Sequence, residues 1–425
     1  MIDGMDRKAG CKNVLLVTDR YYPEPYANGI CVHYVARSLV QAGHTAHILA
    51  YDIPGKKLPE EKDGVRVFGV QPDLINRMIF AGQNQISSLP GKLLKTTGII
   101  LLRLNKIRLI SRFPLASESF HRNLVKQIAA LDQQYHYDAV IGAYNPLDTV
   151  LAAAEYKQFR PDIKMAVYNL DYMPESIKNH VSAEKMKKSC DYWQDVIYTQ
   201  ADMILDMETN YRRWGQEYQE KWQDRIALTG LPLFVSEEVK PAGVFDHSIE
   251  NWVYAGALDT AYYQIEEAMK IFCALPDQEK RVLHIYGRGT GYELCRKYAA
   301  AYPGRIIMHG FVSHEELKGI LKEADILLSM KKTNLISGKT FEYMATGNTV
   351  VHLQGSEQDP NSDYLRQYNR SVIVRSDNQT SEEAAVDLAR KLGELAAETG
   401  GADNQEAFRK NTPEYTRDLI LNMLK

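Results

Sequence analysis

Short apolar runs alternate with helix-spaced stretches along most of the chain, and this alternation limits the possible folds more than any other feature. Val14–Thr18 reads as a buried parallel strand. Residues 21–28, with Pro23 and Pro25, and Gly29 after them, read as a loop. Ile30, Val35, Leu39 and Val40 then fall near one helical face, and Gly43 stands where a C-terminal cap belongs. Thr45–Tyr51 is again strand-like. Strand, loop, helix and strand in this order open a doubly wound α/β domain. Further strands are expected at Val65–Val70, Asp138–Ala143, Met165–Asn169, Met203–Met207 and Ile226–Thr229.

The periodicity stops near residue 236 and restarts after 248, so 236–248 reads as a linker between domains over 12–235 and 249–400. Beyond it, strands are expected at Trp252–Tyr254, Val282–Tyr286, Ile306–His309, Ile326–Met330 and Val350–Leu353. Helices are expected near Gln264–Leu275, Tyr292–Tyr302, Glu315–Lys322 and Thr340–Thr346, with Ser313 and Glu316 as a capping box. The segment 404–425 ends in a last helix, Pro413–Leu424.

Composition narrows the class of protein. The 425 residues are 45% hydrophobic and 25% charged, ordinary for a globular chain. Lys and Arg total 51 against 54 Asp and Glu, which argues against a generally basic nucleic-acid binder. The five cysteines are scattered without C-x-x-C spacing, and the start of the chain is polar. A reduced, cytoplasmic protein is the expectation. No run of 18 uncharged apolar residues suggests a membrane span.

One stretch departs from this balance. No acidic residue lies between Asp73 and Glu118, whereas Arg77, Lys92, Lys95, Arg103, Lys106, Arg108 and Arg112 do, interleaved with leucines and isoleucines. Such a strip suits an anionic membrane surface. A core helix with a solvated basic face is the other reading. Nucleic acid fits less well, because no Tyr or Trp is present to stack bases.

Two lookalike motifs carry no chemistry. Ser337-Gly338-Lys339-Thr340 resembles the end of a phosphate-binding loop, but the required earlier glycine is Thr333. Gly287-Arg288-Gly289-Thr290-Gly291 is followed by Tyr292, so the dinucleotide fingerprint is not met. No Asp-x-Asp triplet marks a metal–diphosphate site. Lys339 is more informative. A helix starting at Gly338 carries this cation in its first turn, the unfavourable end of the dipole by roughly 0.3–1 kcal/mol. An anion docked there removes the conflict, and Glu342 one turn later suits a ribose diol. A merely solvated Lys339 is the alternative.

The block from Gly338 to Val351, GKTFEYMATGNTVV, resembles the donor-site signature of GT-B-fold glycosyltransferases of the large retaining family four. Residues 14–51 are similar to that family's opening strand, loop, helix and strand. Residues 169–176, NLDYMPES, resemble a stretch of bacterial members that build surface polysaccharides. Tyr254-Ala255-Gly256, residues 285–289 and residues 309–317 match further segments in the right order. The resemblance covers roughly 12–355. It implies two Rossmann-like domains facing across a cleft, with the C-terminal helix crossing back.

Carried over, the resemblance pairs Lys339 with the donor diphosphate and Glu342 with the ribose. It gives the base to backbone groups at Phe311 and Val312, and close phosphate approach to Gly256 and Gly29. Gly338 and Thr340 belong to the same helix start, and Arg288 is the candidate for a cation that members carry after the Tyr-x-Gly turn. Asp171, after a first-domain strand, is the candidate for orienting or deprotonating the acceptor hydroxyl, with a turn or helix cap as its other reading. His33 reads either as a cleft residue or as a packed histidine.

The implied activity is sugar transfer from a UDP-sugar to a glycan or lipid-linked acceptor, with no metal or other cofactor. It is placed in the cytoplasm, with peripheral contact at the inner membrane face. Where many members have a second donor-site Glu, position 334 is Asn. A non-catalytic partner of the same fold and a sugar-nucleotide epimerase are the rival readings.

Overall fold

A computed structural model describes residues 10–425 apart from 24, 54, 56, 109–117, 175–181, 236–237, 333–335 and 398–403. Asn334 and Arg112 lie outside the described residues, as do the side chains of Lys106 and Arg108. The chain forms two compact units, one of residues 1–232 with 410–425 and one of 233–409. Each is an α/β unit built on a largely parallel sheet, Rossmann-like in strand order.

The first unit contains β1 (Asn13–Val17), β2 (Thr45–Tyr51), β3 (Glu61–Lys62), β4 (Val65–Val70), β5 (Ala139–Tyr144), β6 (Lys164–Asn169), β7 (Met203–Met207) and β8 (Ile226–Thr229). Their order is β3-β4-β2-β1-β5-β6-β7-β8, parallel except for the short β3. Helices α1 (Ala27–Gln41), α2 (Leu74–Asn84), α3 (Leu89–Arg108), α4 (Glu118–Tyr135), α5 (Leu147–Phe159), α6 (Ala183–Tyr198), α7 (Glu208–Tyr211) and α8 (Gln216–Trp222) lie between the strands. The central strands are apolar on both faces because helices cover both. Leu15, Val17, Val140, Met165, Val167 and Ile204 are fully buried. Gly43 ends α1 at φ +85°, a conformation that favours glycine, and the His44 amide returns to the Leu39 carbonyl.

The second unit contains β9 (Glu250–Ala255), β10 (Arg281–Tyr286), β11 (Ile306–Gly310), β12 (Ile326–Lys331), β13 (Thr349–Gln354) and β14 (Ser371–Arg375). All pair in parallel, in the order β11-β10-β9-β12-β13-β14. Its helices are α9 (Ile265–Ala274), α10 (Tyr292–Ala301), α11 (His314–Glu323), α12 (Gly338–Ala345), α13 (Pro360–Leu365), α14 (Ser381–Ala397) and α15 (Asn404–Ala407). Trp252, Leu283, Ile285 and Val351 form the middle of its core. In both sheets the strand order reverses beside the first strand, between β1 and β5 and between β9 and β12. Ligands of doubly wound sheets collect at the strand C-termini of that point.

One boundary differs from the sequence reading. The described part of the stretch read as a linker packs within the second unit, because the Val244 and Phe245 amides donate to the Glu323 carboxylate and Ala242 to the Gly319 carbonyl. The last helix, α16 (Pro413–Met423), belongs to the first unit. The Ser38 hydroxyl donates to the Pro413 carbonyl, and Thr416 and Thr229 share a buried hydroxyl pair at 2.8 Å. Among the described residues no helix is long and apolar enough to cross a membrane.

Candidate functional site

The β9–β10 register pairs Ala255 with Tyr286, so Gly256 and Gly287 leave the sheet side by side. A Cβ on Gly287 would collide with the Gly256 carbonyl oxygen. Gly256 itself has φ +144°, and a Cβ on it would fall inside the end of the Lys339 side chain. Glycine is required at both positions, and the room left at Gly256 is filled by the Lys339 ammonium. That ammonium lies 5.0 Å from the centroid of the Tyr254 ring and 4.9 Å from that of Tyr263. Burial lowers its pKa to about 7; Lys331 adds to the shift and Glu342 opposes it.

Gly256, Arg288, Phe311 and Val312 line one cavity of about 290 Å³, together with Gly287 and Leu317. The Arg288 guanidinium sits over the Phe311 ring at 4.4 Å. Tyr286, also in the wall, stacks on His309 at 4.3 Å with ring planes 7° apart. Burial holds His309 below the usual imidazole range. The cavity therefore combines a flat aromatic surface, peptide groups at strand ends and a guanidinium, with the Lys339 ammonium against Gly256.

Helix α12 begins without a side-chain cap and without an acid in its first turn, leaving its N-terminal dipole uncompensated. Its start is fixed from beneath. The Asn361 side-chain carbonyl accepts from the Ser337 amide at 2.7 Å and from the Thr340 hydroxyl at 3.0 Å. Thr340 is fully buried, so its hydroxyl anchors the helix. Gly338 is packed against Leu233, which a Cβ would displace. Glu342 accepts from His314 Nε2 at 3.4 Å. Burial opposes its charge, but His314, Lys339 and Lys318 hold the carboxyl below the ordinary range.

Two further second-unit residues stand near the site without a motif to mark them. His314 begins α11 two residues after Val312, and its buried Nδ1 has no hydrogen-bond partner among the described residues. Lys331 ends β12 with its ammonium 4.8 Å from the Tyr263 ring that Lys339 also faces. Its place at the C-terminal end of a strand was the available signal.

The remaining candidates lie in the first unit. Asp171 follows β6 and is exposed; the Asn28 amide donates to it at 2.9 Å and to the Asn145 carbonyl at 3.4 Å. Asn28 in α1 thus links the ends of β5 and β6. Asp19, after β1, is raised to about 6 by burial, with a smaller contribution from the Asp171 charge. Gly29 is buried inside α1, and a Cβ there would strike the Arg20 carbonyl. Its missing side chain therefore makes room for the chain's own loop. His33 is packed between the Tyr21 hydroxyl and Asp63, at 2.5 and 2.9 Å, and burial lowers it to about 4.

Residues 250–391 match the family model described as Glycosyl transferases group 1. The matched stretch lies within the second unit and spans most of it. This match indicates an enzyme of the glycosyltransferase class. No curated protein sequence matches the chain. Among solved structures, the chain is similar to the UDP-GlcNAc 2-epimerase of Methanocaldococcus jannaschii, at 9% identity and a TM-score of 0.57, over 96% of this chain and 99% of that one. It is similar to a glycosyltransferase of Rickettsia africae at 13% identity and 0.51, over 98% and 96%. It is also similar to the sucrose-phosphate synthase of Thermosynechococcus elongatus at 13% and 0.53, over 97% and 96%. At these identities the likeness is one of fold, the two-domain GT-B architecture.

Proposed function

We propose that this chain transfers a sugar from a UDP-sugar to a glycan or lipid-linked acceptor in cell-surface polysaccharide synthesis, with retention of anomeric configuration. The observation that carries the reading is the Lys339 ammonium seated against Gly256, beside the cavity of Arg288, Phe311 and Val312, in the domain that matches the transferase family. In this reading Lys339, the free amides of α12 and Arg288 neutralise the departing diphosphate, and Glu342 takes the ribose hydroxyls. The base lies against the Phe311–Val312 backbone. No metal is called for, because these groups supply the positive charge. Asp171 orients or deprotonates the acceptor hydroxyl.

Incubating the purified chain with a panel of UDP-sugars, with and without a membrane extract as acceptor source, tests the proposal. Release of UDP with incorporation of label into the extract is expected. Conversion of the donor sugar without an acceptor would return the epimerase reading. No turnover, with UDP bound normally, would return the non-catalytic partner.

Contact with an anionic membrane is part of the proposal, and α3 supports it. Leu89, Leu93, Ile100, Leu104 and Ile107 are 51–81% exposed. At 100° per residue they lie within an arc of about 60° on one face. Lys92 and Arg103 flank that stripe on one side and Lys95 lies farther round, which suits side chains dipping into an interface among anionic headgroups. Vesicles containing anionic lipid are expected to pellet the protein at low salt, and Lys92→Glu with Lys95→Glu and Arg103→Glu is expected to release it. A wild-type protein that stays in the supernatant at low salt would refute the membrane contact.

A further inference from the structure

Helix α12 must keep its first amides open if an anion docks there, so whatever fixes its start has to act from the far side. Asn361 does this through the Ser337 amide and the Thr340 hydroxyl, and Asn361 is itself held in place. The Asp359 carboxylate caps α13. Its Oδ1 accepts from the Asn361 backbone amide at 2.9 Å and from the Asn361 side-chain amide at 2.7 Å. Its Oδ2 lies 2.8 Å from Nε2 of His352, in β13, whose Nδ1 lies 3.0 Å from the Ser329 hydroxyl in β12. His352 and Asn361 are fully buried, and Asp359 is 2% exposed.

Ser329, His352 and Asp359 have the make-up of a hydrolytic triad, but the hydroxyl lies inside β12 and the aspartate is committed to Asn361. The chemistry points to orientation instead. An amide side chain fits either way round, whereas an ionised carboxylate only accepts. Burial opposes the charge on Asp359, but His352 and Asn361 hold its carboxyl below the ordinary range. The NH2 group of Asn361 therefore faces Asp359, and its carbonyl is turned toward α12. Lys339 lies between the two residues anchored there, Ser337 and Thr340. Fully satisfied, a buried polar network of this kind specifies a single arrangement.

We propose that His352 and Asp359 are positioning residues for the donor site: through Asn361 they set the start of α12, and with it the place of the Lys339 ammonium against Gly256. That this ammonium meets a diphosphate rests on the transferase reading.

The test is calorimetric titration of the full chain with UDP, beside melting curves without ligand. Asp359→Asn keeps the shape but can present an NH2 group to Asn361. Thr340→Val keeps the shape and loses the hydroxyl. Each should weaken UDP binding about three- to tenfold. Because both act through Asn361, the double variant should lose less than the product of the two losses. His352→Met should weaken UDP binding as Asp359→Asn does, whereas His352→Gln, which keeps a donor for Asp359, should restore it. If one variant melts too early to titrate, the others carry the test. A wild type that binds no UDP would overturn the donor reading and this proposal together. A wild type that binds UDP, with losses that simply multiply or with variants that melt lower at unchanged affinity, would overturn the positioning role alone.

Discussion

Lys339→Ala is expected to weaken UDP binding and to slow sugar transfer by about 10²–10³-fold, the usual loss when one preorganised group facing developing negative charge is removed. The ammonium sits at the positive end of a helix that has no capping side chain and no acid in its first turn. It is packed on Gly256 and between two tyrosine rings, where burial brings its pKa down to about 7. Holding a cation there destabilises the charged form, and a bound anion reverses that penalty.

The pH dependence follows from the direction of the shift. Below about 7 the free protein already carries the charge that the diphosphate needs. Above it Lys339 is increasingly neutral, and binding must first take up a proton. UDP affinity should therefore fall as pH rises above 7, by up to about tenfold per unit, until the raised pKa of the complex is passed. Phosphate groups with a second pKa near 6 are already ionised in this range and add little. Calorimetry in buffers of different ionisation enthalpy would detect the proton uptake, which Lys339→Arg should abolish. Glu342→Gln should differ in kind, weakening uridine and UDP alike, whereas Lys339→Ala should leave any measurable uridine binding intact. Unchanged UDP affinity in Lys339→Ala would remove the donor assignment.

The strands show how much of this was legible. β2, β4, β7 and β8 fall where their apolar runs placed them, β2 and β7 because strands buried on both faces are apolar along most of their length. β14 left none, as an edge strand with only Val372 and Val374 turned fully inward. The linker was misread for a related reason. What ties Val244 and Phe245 to the second unit is backbone donation to Glu323, and hydrogen bonds made by main-chain amides leave no pattern in side chains. In the candidate site, the charge conflict at Lys339 was visible because helix position and charge are both local. The support of α12 by Asn361, the pairing of Glu342 with His314 and the self-packing at Gly29 depend on distant or neighbouring loops meeting in space.

Asp171→Asn is expected to lower turnover on the order of 10²-fold while leaving UDP affinity and the melting temperature near wild type, as for removal of a general base. Asparagine keeps the shape of the side chain and can still accept from Asn28, so the links to the ends of β5 and β6 survive while the charge is lost. The carboxylate stands exposed just after the C-terminal end of β6, one strand from the point where the first sheet reverses its order, and the Asn28 amide orients it. Asp19 offers the internal comparison. Burial raises it to about 6, so it is ionised only above that pH, and removing the Asp171 charge should lower it slightly. If Asp171 is the acceptor-side carboxylate, Asp19→Asn should cost far less turnover than Asp171→Asn. If the order is reversed, and the wild-type rate falls away below pH 6, the acceptor role belongs to the buried carboxyl and Asp171 serves to hold the loop.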